Sequence, residues 1–200
     1  KAFLMGKPYR PFDPRIYRSF RLFREFSSAI IDQWMTHGID VVHMLTGEQY
    51  PVTAVAEGAI LKWDDYRENP DTIQVVLKYG KPGKEFLATY ATTLINASGH
   101  LTRVQGTNGT MLVENEWQIS GDGSENSNTL QTTTEIPEKP GTKHHMANWL
   151  DCVRRRAPQD LYAPAEAGYG HSVACIMSVD SLWNGRRMRF DPATAEISEG

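Results

Sequence analysis

Between residues 30 and 45 the apolar side chains return every three or four positions. Ile31, Trp34, Met35, Gly38, Val42 and Leu45 fall on one stripe, which predicts a helix over 30–45 with one packed side. Ser27 or Ser28 can cap its start, and Gly47 follows its end. Beyond Gly47 the period drops to two. Segments 52–63, 73–79, 85–93, 101–106, 110–114 and 116–120 read as successive strands. Gly80-Lys-Pro-Gly83, Asn96-Ala-Ser-Gly99 and Thr107-Asn-Gly109 supply turns, and Asn108-Gly109 is the strongest hairpin signal. Neighbouring strands joined by short turns must be mostly antiparallel. Ile73, Val75, Leu77 and Tyr79 share one side of their strand and should meet the helices. In 85–93, Phe86, Ala88 and Tyr90 oppose Leu87, Thr89 and Ala91, so that strand is expected to bury both faces, one of them against a partner.

Residues 121–141 hold Gly, Ser, Asn, Thr and Pro with little to bury, and read as a surface loop. Helices return at 143–155 and 165–183. The first shows a stripe of Met146, Trp149, Leu150 and Val153 behind a Thr142 cap. The second shows Val173, Ile176, Met177 and Trp183 and ends at Asn184-Gly185. The tail after Arg187 reads as short and extended. At the other end, Pro8, Pro11 and Pro14 disfavour helix, so 1–18 reads as an extended arm and 19–23 as a short strand. One helix, a meander of strands and two helices is not a βαβ alternation. The order predicts an α+β fold: an open, mostly antiparallel sheet with helices packed on one face.

Composition narrows the function. The 200 residues are 40% hydrophobic and 22% charged, which fits one globular domain over 19–200 with its arm at 1–18. Net charge is -3 with dispersed basic residues, which argues against a nucleic-acid partner. No stretch approaches the ~20 apolar residues of a membrane span, so no membrane partner and a cytoplasmic location are expected. Cys152 and Cys175 stand beside apolar residues and read as reduced core thiols. No metal site is expected, because His37 and His43 fall on different helix faces without a third ligand. No Gly-x-Gly-x-x-Gly follows a first strand, and Gly106-Thr-Asn-Gly109 sits at a hairpin, so this chain is expected to hold no dinucleotide itself.

The wet side of the first helix carries the chemistry. Gln33, His37, Asp40 and Met44 lie within one sector of about 60° at helical spacing. A histidine there can pass a proton to or from a hydroxyl near neutral pH, and an acid three residues on can orient it. A polar helix face is more often simply solvated. Arg15, Arg18, Arg21 and Arg24 recur every third residue, which in an extended arm lines up one face for an anion or a sugar hydroxyl. His145 opens a helix and can face a ligand.

Four segments together resemble the C-terminal domain of the Gfo/Idh/MocA oxidoreductases, named for glucose–fructose oxidoreductase and inositol dehydrogenase. They are Phe26-Ser-Ser-Ala-Ile-Ile-Asp-Gln-Trp-Met-Thr-His37-Gly-Ile-Asp40-Val-Val-His43, Gly106-Thr-Asn-Gly-Thr110, His145-Met-Ala-Asn148-Trp-Leu-Asp-Cys-Val-Arg154 and Gly185-Arg-Arg-Met-Arg-Phe-Asp191-Pro192. The resemblance implies a substrate-binding and oligomerisation domain that works beside an N-terminal Rossmann domain. That second domain binds NAD or NADP and carries a lysine in a Glu-Lys-Pro motif; no Rossmann pattern is read in this chain, and its Glu138-Lys139-Pro140 run falls in the segment 121–141 read as a surface loop. The resemblance further implies that His37 handles the substrate hydroxyl proton. The family's acid four residues earlier corresponds to Gln33, with Asp32 adjacent, so Asp32 can substitute only if the first turn of the helix is irregular. Asp40 matches a family position and, with Arg21 and His145, is a candidate substrate contact. The expected function is oxidation of a sugar, inositol-like polyol or derivative by the full-length protein, with the piece alone inactive and assembled as a homo-oligomer through the open sheet face. The alternatives are an NAD-dependent glycoside hydrolase of the same superfamily and a non-catalytic homologue used for binding or assembly.

Overall fold

The structure, a computed structural model, describes residues 6–97, 99–113, 117–121, 130 and 144–200. They divide into two compact units, one built from residues up to 96 together with 165–200, the other from residues 97–164. The first contains strands β1 (Thr53–Ala59), β2 (Thr72–Tyr79), β3 (Phe86–Thr93), β7 (Met188–Asp191) and β8 (Glu196–Glu199). They form one sheet in the order β3-β2-β1-β7-β8, and every pairing is antiparallel. The second unit contains β4 (Arg103–Gly106), β5 (Gly109–Val113) and β6 (Trp117–Ser120) in a separate three-stranded meander. The expected open antiparallel sheet is therefore present, but as two sheets. A period of two marks a strand without saying which strands share a sheet.

Helix α4 (Ala165–Asn184) packs on β1 and β7 and against α2 (Thr36–Thr46) with the wide turn that precedes it. The strand alternation does what its pattern requires. Ile73, Val75, Leu77 and Tyr79 are buried under the helices, whereas Gln74 and Val76 face outward. With Ile31, Met35, Ile39, Val173, Ala174, Met177, Met188 and Phe190 they make the core. Each large side chain here contributes about 1.5–3 kcal/mol of burial. In β3, Phe86, Ala88 and Tyr90 lean on that core while Leu87 is 67% exposed.

The ends of the chain correct the reading of the arm. Pro14–Arg18 forms a short helix, α1, rather than extended chain. Proline breaks a helix in its interior, but at the first helical position its fixed φ and missing N–H are favourable. Asp13 caps it by accepting from the Arg15 backbone N–H at 2.9 Å. Phe20–Leu22 is a 3-10 turn, not a strand. The tail after Arg187 is the β7–β8 hairpin.

In the second unit α3 (His145–Arg155) is capped by His144, whose Nδ1 accepts from the Met146 N–H at 3.3 Å. The expected Thr142 cap and most of the expected 121–141 loop lie outside the described residues. The predicted stripe of Met146, Trp149, Leu150 and Val153 is exposed, and α3 buries Asn148 and Cys152 instead. Asn148 explains the reversal. Its Nδ2 donates to Asp160 O at 3.0 Å and its Oδ1 accepts from the Tyr162 N–H at 3.0 Å, so the helix turns a polar residue inward to hold the chain that follows.

A buried carboxylate organises the connection between β1 and β2. Asp71 is fully buried, and its oxygens accept from the N–H groups of Leu61, Lys62 and Trp63 at 3.0–3.2 Å and from the Thr72 hydroxyl. Beside it, buried Asn69 donates from Nδ2 to the carbonyls of Arg21 at 2.8 Å and Ser27 at 3.1 Å. That loop thus grips the segment that leads into the first long helix.

Candidate functional site

Residues 27–37 decide the geometry of the site. Ala29 adopts φ +55°, a left-handed conformation unusual for a residue with a Cβ, in a buried position. Ser27 Oγ accepts from the Ala29 N–H at 2.9 Å and from Gln33 Nε2 at 2.8 Å. Asp32 Oδ2 accepts from the Ser28 N–H at 3.1 Å. The chain then makes a π-helical turn over Ile31–Met35 before α2 continues from Thr36. Such a turn holds one residue more than an α-turn and is a recurrent feature of functional sites.

The extra residue re-phases everything before it. Ile31, Met35 and Ile39 point into the core, whereas Trp34 and Leu45, which the regular pattern assigns to the packed stripe, are exposed at 47% and 38%. In a regular helix Asp32 and His37 project about 140° apart; removing one residue's rotation of about 100° leaves about 40°. The irregular first turn, on which substitution by Asp32 depends, is present. Gln33 is half-buried and engaged with Ser27, and His37 stands exposed on the first turn of α2.

Asp40 and His43 face α4. Asp40 Oδ1 lies 3.2 Å from His171 Nε2, with the carboxylate off the N–H axis, so the contact is an ion pair in distance and a poor hydrogen bond in direction. The rings of His43 and His171 are 5.2 Å apart between centroids. On its other side His43 Nε2 meets the Tyr79 hydroxyl at 3.1 Å, the donor being set by the tautomer. Gly170 lets α4 lie close to the chain after α2: a Cβ there would lie 2.7 Å from the Gln49 carbonyl oxygen. Burial, and next the neighbouring His171, push His43 down from its ordinary 6.5 to about 4, with Asp40 pulling weakly the other way. Burial likewise raises Tyr79, and raises Cys175 to about 12, so this thiol is inert at neutral pH.

The His43 shift carries a stability consequence. The folded form refuses a proton until about pH 4, whereas the unfolded chain takes one from about 6.5. The unfolded state therefore binds more protons between those values, and stability present above 6.5 drains away as pH falls toward 4. After allowance for partial solvent screening, denaturation at pH 4.5 against pH 7 should show about 1–2 kcal/mol from this ring, removed in His43→Gln.

Other candidates stand apart. Arg21 is exposed and its guanidinium lies over its neighbour Phe20 at 4.7 Å. The arginine row is not one face: Arg15 pairs with Asp13 at 2.7 Å, and Arg24 covers Trp183 at 3.6 Å. The expected extended period of three fails because α1 and the 3-10 turn rotate these side chains apart. His145 is exposed on the first turn of α3, in the second unit. Sequence reasoning missed His171, Tyr79 and Asp71. The signal for His171 was a histidine within an otherwise apolar helix; for Asp71 it was an Asn-Pro-Asp run just before a strand. Among the described residues no group of three or more His, Cys, Asp or Glu side chains is arranged to hold a metal ion, and no helix is long and apolar enough to cross a membrane.

A Thermotoga maritima protein assigned to the oxidoreductases is 17% identical with TM-score 0.63, over 90% of this chain and 51% of that one. An oxidoreductase from Sinorhizobium meliloti is 15% identical with TM-score 0.53, over 76% of this chain and 49% of that one. The WlbA dehydrogenase from Bordetella pertussis, solved in complex with NADH and UDP-GlcNAcA, is 16% identical with TM-score 0.52, over 91% and 51%. At these identities the likeness is one of fold, and this chain spans about half the length of each of those structures. No curated protein sequence matches it. The model of the oxidoreductase family's C-terminal alpha/beta domain matches residues 7–189. This chain therefore belongs to the Gfo/Idh/MocA oxidoreductases, as their C-terminal alpha/beta domain.

Proposed function

We propose that the full-length protein oxidises a hydroxyl-bearing carbon of a sugar, an inositol-like polyol or a derivative, with this domain holding the substrate. The carrying observation is the π-turn at Ile31–Met35, in the irregular first turn that a role for Asp32 requires where the family's acid position holds Gln33. His37 takes the hydroxyl proton, and Asp32 supplies the negative charge that stabilises the imidazolium. Gln33, fixed by Ser27, offers its remaining polar atoms to the neighbouring hydroxyls. NAD or NADP, when bound by a partner domain, supplies the hydride acceptor. Gly106 pairs with Gly109 to close the β4–β5 hairpin and does not open a helix. The likeness to a dehydrogenase solved with NADH and a UDP-sugar supports the substrate class.

The test is reduction of NAD and NADP by the full-length protein across a panel of sugars, cyclitols and sugar nucleotides. Substrate-dependent reduction supports the proposal. Cleavage of a glycoside without net reduction replaces it with hydrolysis, and silence across the panel favours a non-catalytic homologue. The 200-residue chain alone is expected to bind neither nucleotide by calorimetry.

Assembly through the open sheet face belongs to the same proposal. Val55 and Val76 pair across β1 and β2 on the side away from the helices, and exposed Leu87 lies on that side of β3. An apolar strip on a sheet face is a surface for a second copy. The double variant Val76→Lys, Leu87→Lys should sediment as a monomer where the parent sediments as an oligomer. An unchanged sedimentation coefficient removes this face from the interface.

A further inference from the structure

We propose that Asp40 and His171 are positioning residues: the pair locks the rotation of α2 about its axis, and so the placement of His37. The inference rests on the reading of His37 as the proton-transfer group. Asp40 lies three residues after His37 and His43 three after Asp40, so the three run along adjoining turns of one helix. His171 of α4 meets both later residues at once, at 3.2 Å from Asp40 Oδ1 and with its ring 5.2 Å from that of His43. Behind His43 the chain of contacts ends on Tyr79 of β2, buried and stacked on Phe86 at 5.2 Å. One imidazole held against two successive turns of a neighbouring helix fixes that helix's angle in a way that apolar contacts, which slide, do not.

Magnitude makes the angle matter. A side-chain tip stands about 5–6 Å from a helix axis, so a 20° rotation sweeps it about 2 Å. Proton transfer tolerates much less, and a displacement of about 1 Å can cost about 10²-fold in rate. Substrate contact alone does not account for the placement of Asp40. A residue serving only the substrate has no reason to hold an oxygen against a buried ring nitrogen of another helix. The titratable groups facing His171 are Asp40 and His43 of α2, with Tyr79 of β2 behind His43.

Asp40→Asn is isosteric and its side chain is 67% exposed, so the fold should survive it. In the full-length protein kcat and KM are read separately, with the substrate found in the reduction panel, beside the denaturation midpoint of each variant. The expected result is a loss of about 10–100-fold in kcat with KM within about threefold and the denaturation midpoint unchanged. His171→Gln, whose amide is polar and of similar reach, should keep most of the rate, whereas His171→Ala should lose it as Asp40→Asn does. An unchanged kcat in Asp40→Asn, or a rate loss matched by a fall in the denaturation midpoint, overturns the positioning role. If His37→Ala leaves turnover intact while Asp40→Asn still lowers kcat, the fault lies in the reading of His37 and not in the pair.

Discussion

Alanine at position 37 is expected to cut turnover of the full-length protein by about 10²–10⁴-fold, the range for a lost acid–base group. The expectation is sharp because the substitution should do little else. His37 is exposed, and an exposed change away from caps and cores shifts stability by about 0.5 kcal/mol or less. A fall in kcat therefore reads as chemistry and not as unfolding, and the denaturation midpoint of the variant serves as control. Rate loss confined to KM would make His37 a binding group. A wild-type rate would remove it from the mechanism and leave Asp32 without a partner. Asp32→Asn should follow with a smaller loss, because the amide oxygen can still accept from the Ser28 N–H that steadies the π-turn and only the negative charge is removed.

The site was legible as far as periodicity reaches and no further. Strand alternation in β2 and the cap at Gly185 came directly from residue types, because each is enforced locally by the pleat or by a left-handed φ. The π-turn was not legible in the spacing. Ile31 and Met35 fit an apolar stripe whether the turn is α or π, and only Trp34 and Leu45 betray the difference by standing outside. The mismatch between Asp32 and the expected acid position was the one available clue, and it pointed to an irregular turn. The partner that His171 meets could not be read locally, since the contact joins helices far apart in the chain. Helix α3 misled for another reason. Its apolar stripe outweighed one asparagine on paper, yet a buried amide that satisfies two backbone groups can turn a helix around.

Asp71→Ala should be the most damaging single change to the fold, at about 3–5 kcal/mol out of the about 5–15 kcal/mol that holds a domain together. Alanine removes the acceptor for the N–H groups of Leu61, Lys62 and Trp63 and for the Thr72 hydroxyl. Each donor left unpaired costs about 1–3 kcal/mol, less where water reaches it. Asp71→Asn keeps one oxygen and should lose only about half as much. Burial pushes this carboxyl up, but the backbone donors from Lys62, Leu61 and Trp63 outweigh it and hold it at about 2, below its ordinary 3.8. Its contribution is thus complete above about pH 4 and is lost as pH falls through 2, a dependence that Asp71→Asn should abolish. The damage should also reach the site. The loop that Asp71 folds holds Asn69, and Asn69 holds the Ser27 carbonyl just ahead of the π-turn. Urea denaturation gives the stability, read as a midpoint shift at constant slope. Hydrogen exchange at residues 27–37 gives the coupling. A loss under about 1 kcal/mol would mean that water replaces the carboxylate without penalty. Unchanged exchange at 27–37 would mean that the π-turn stands without help from this loop.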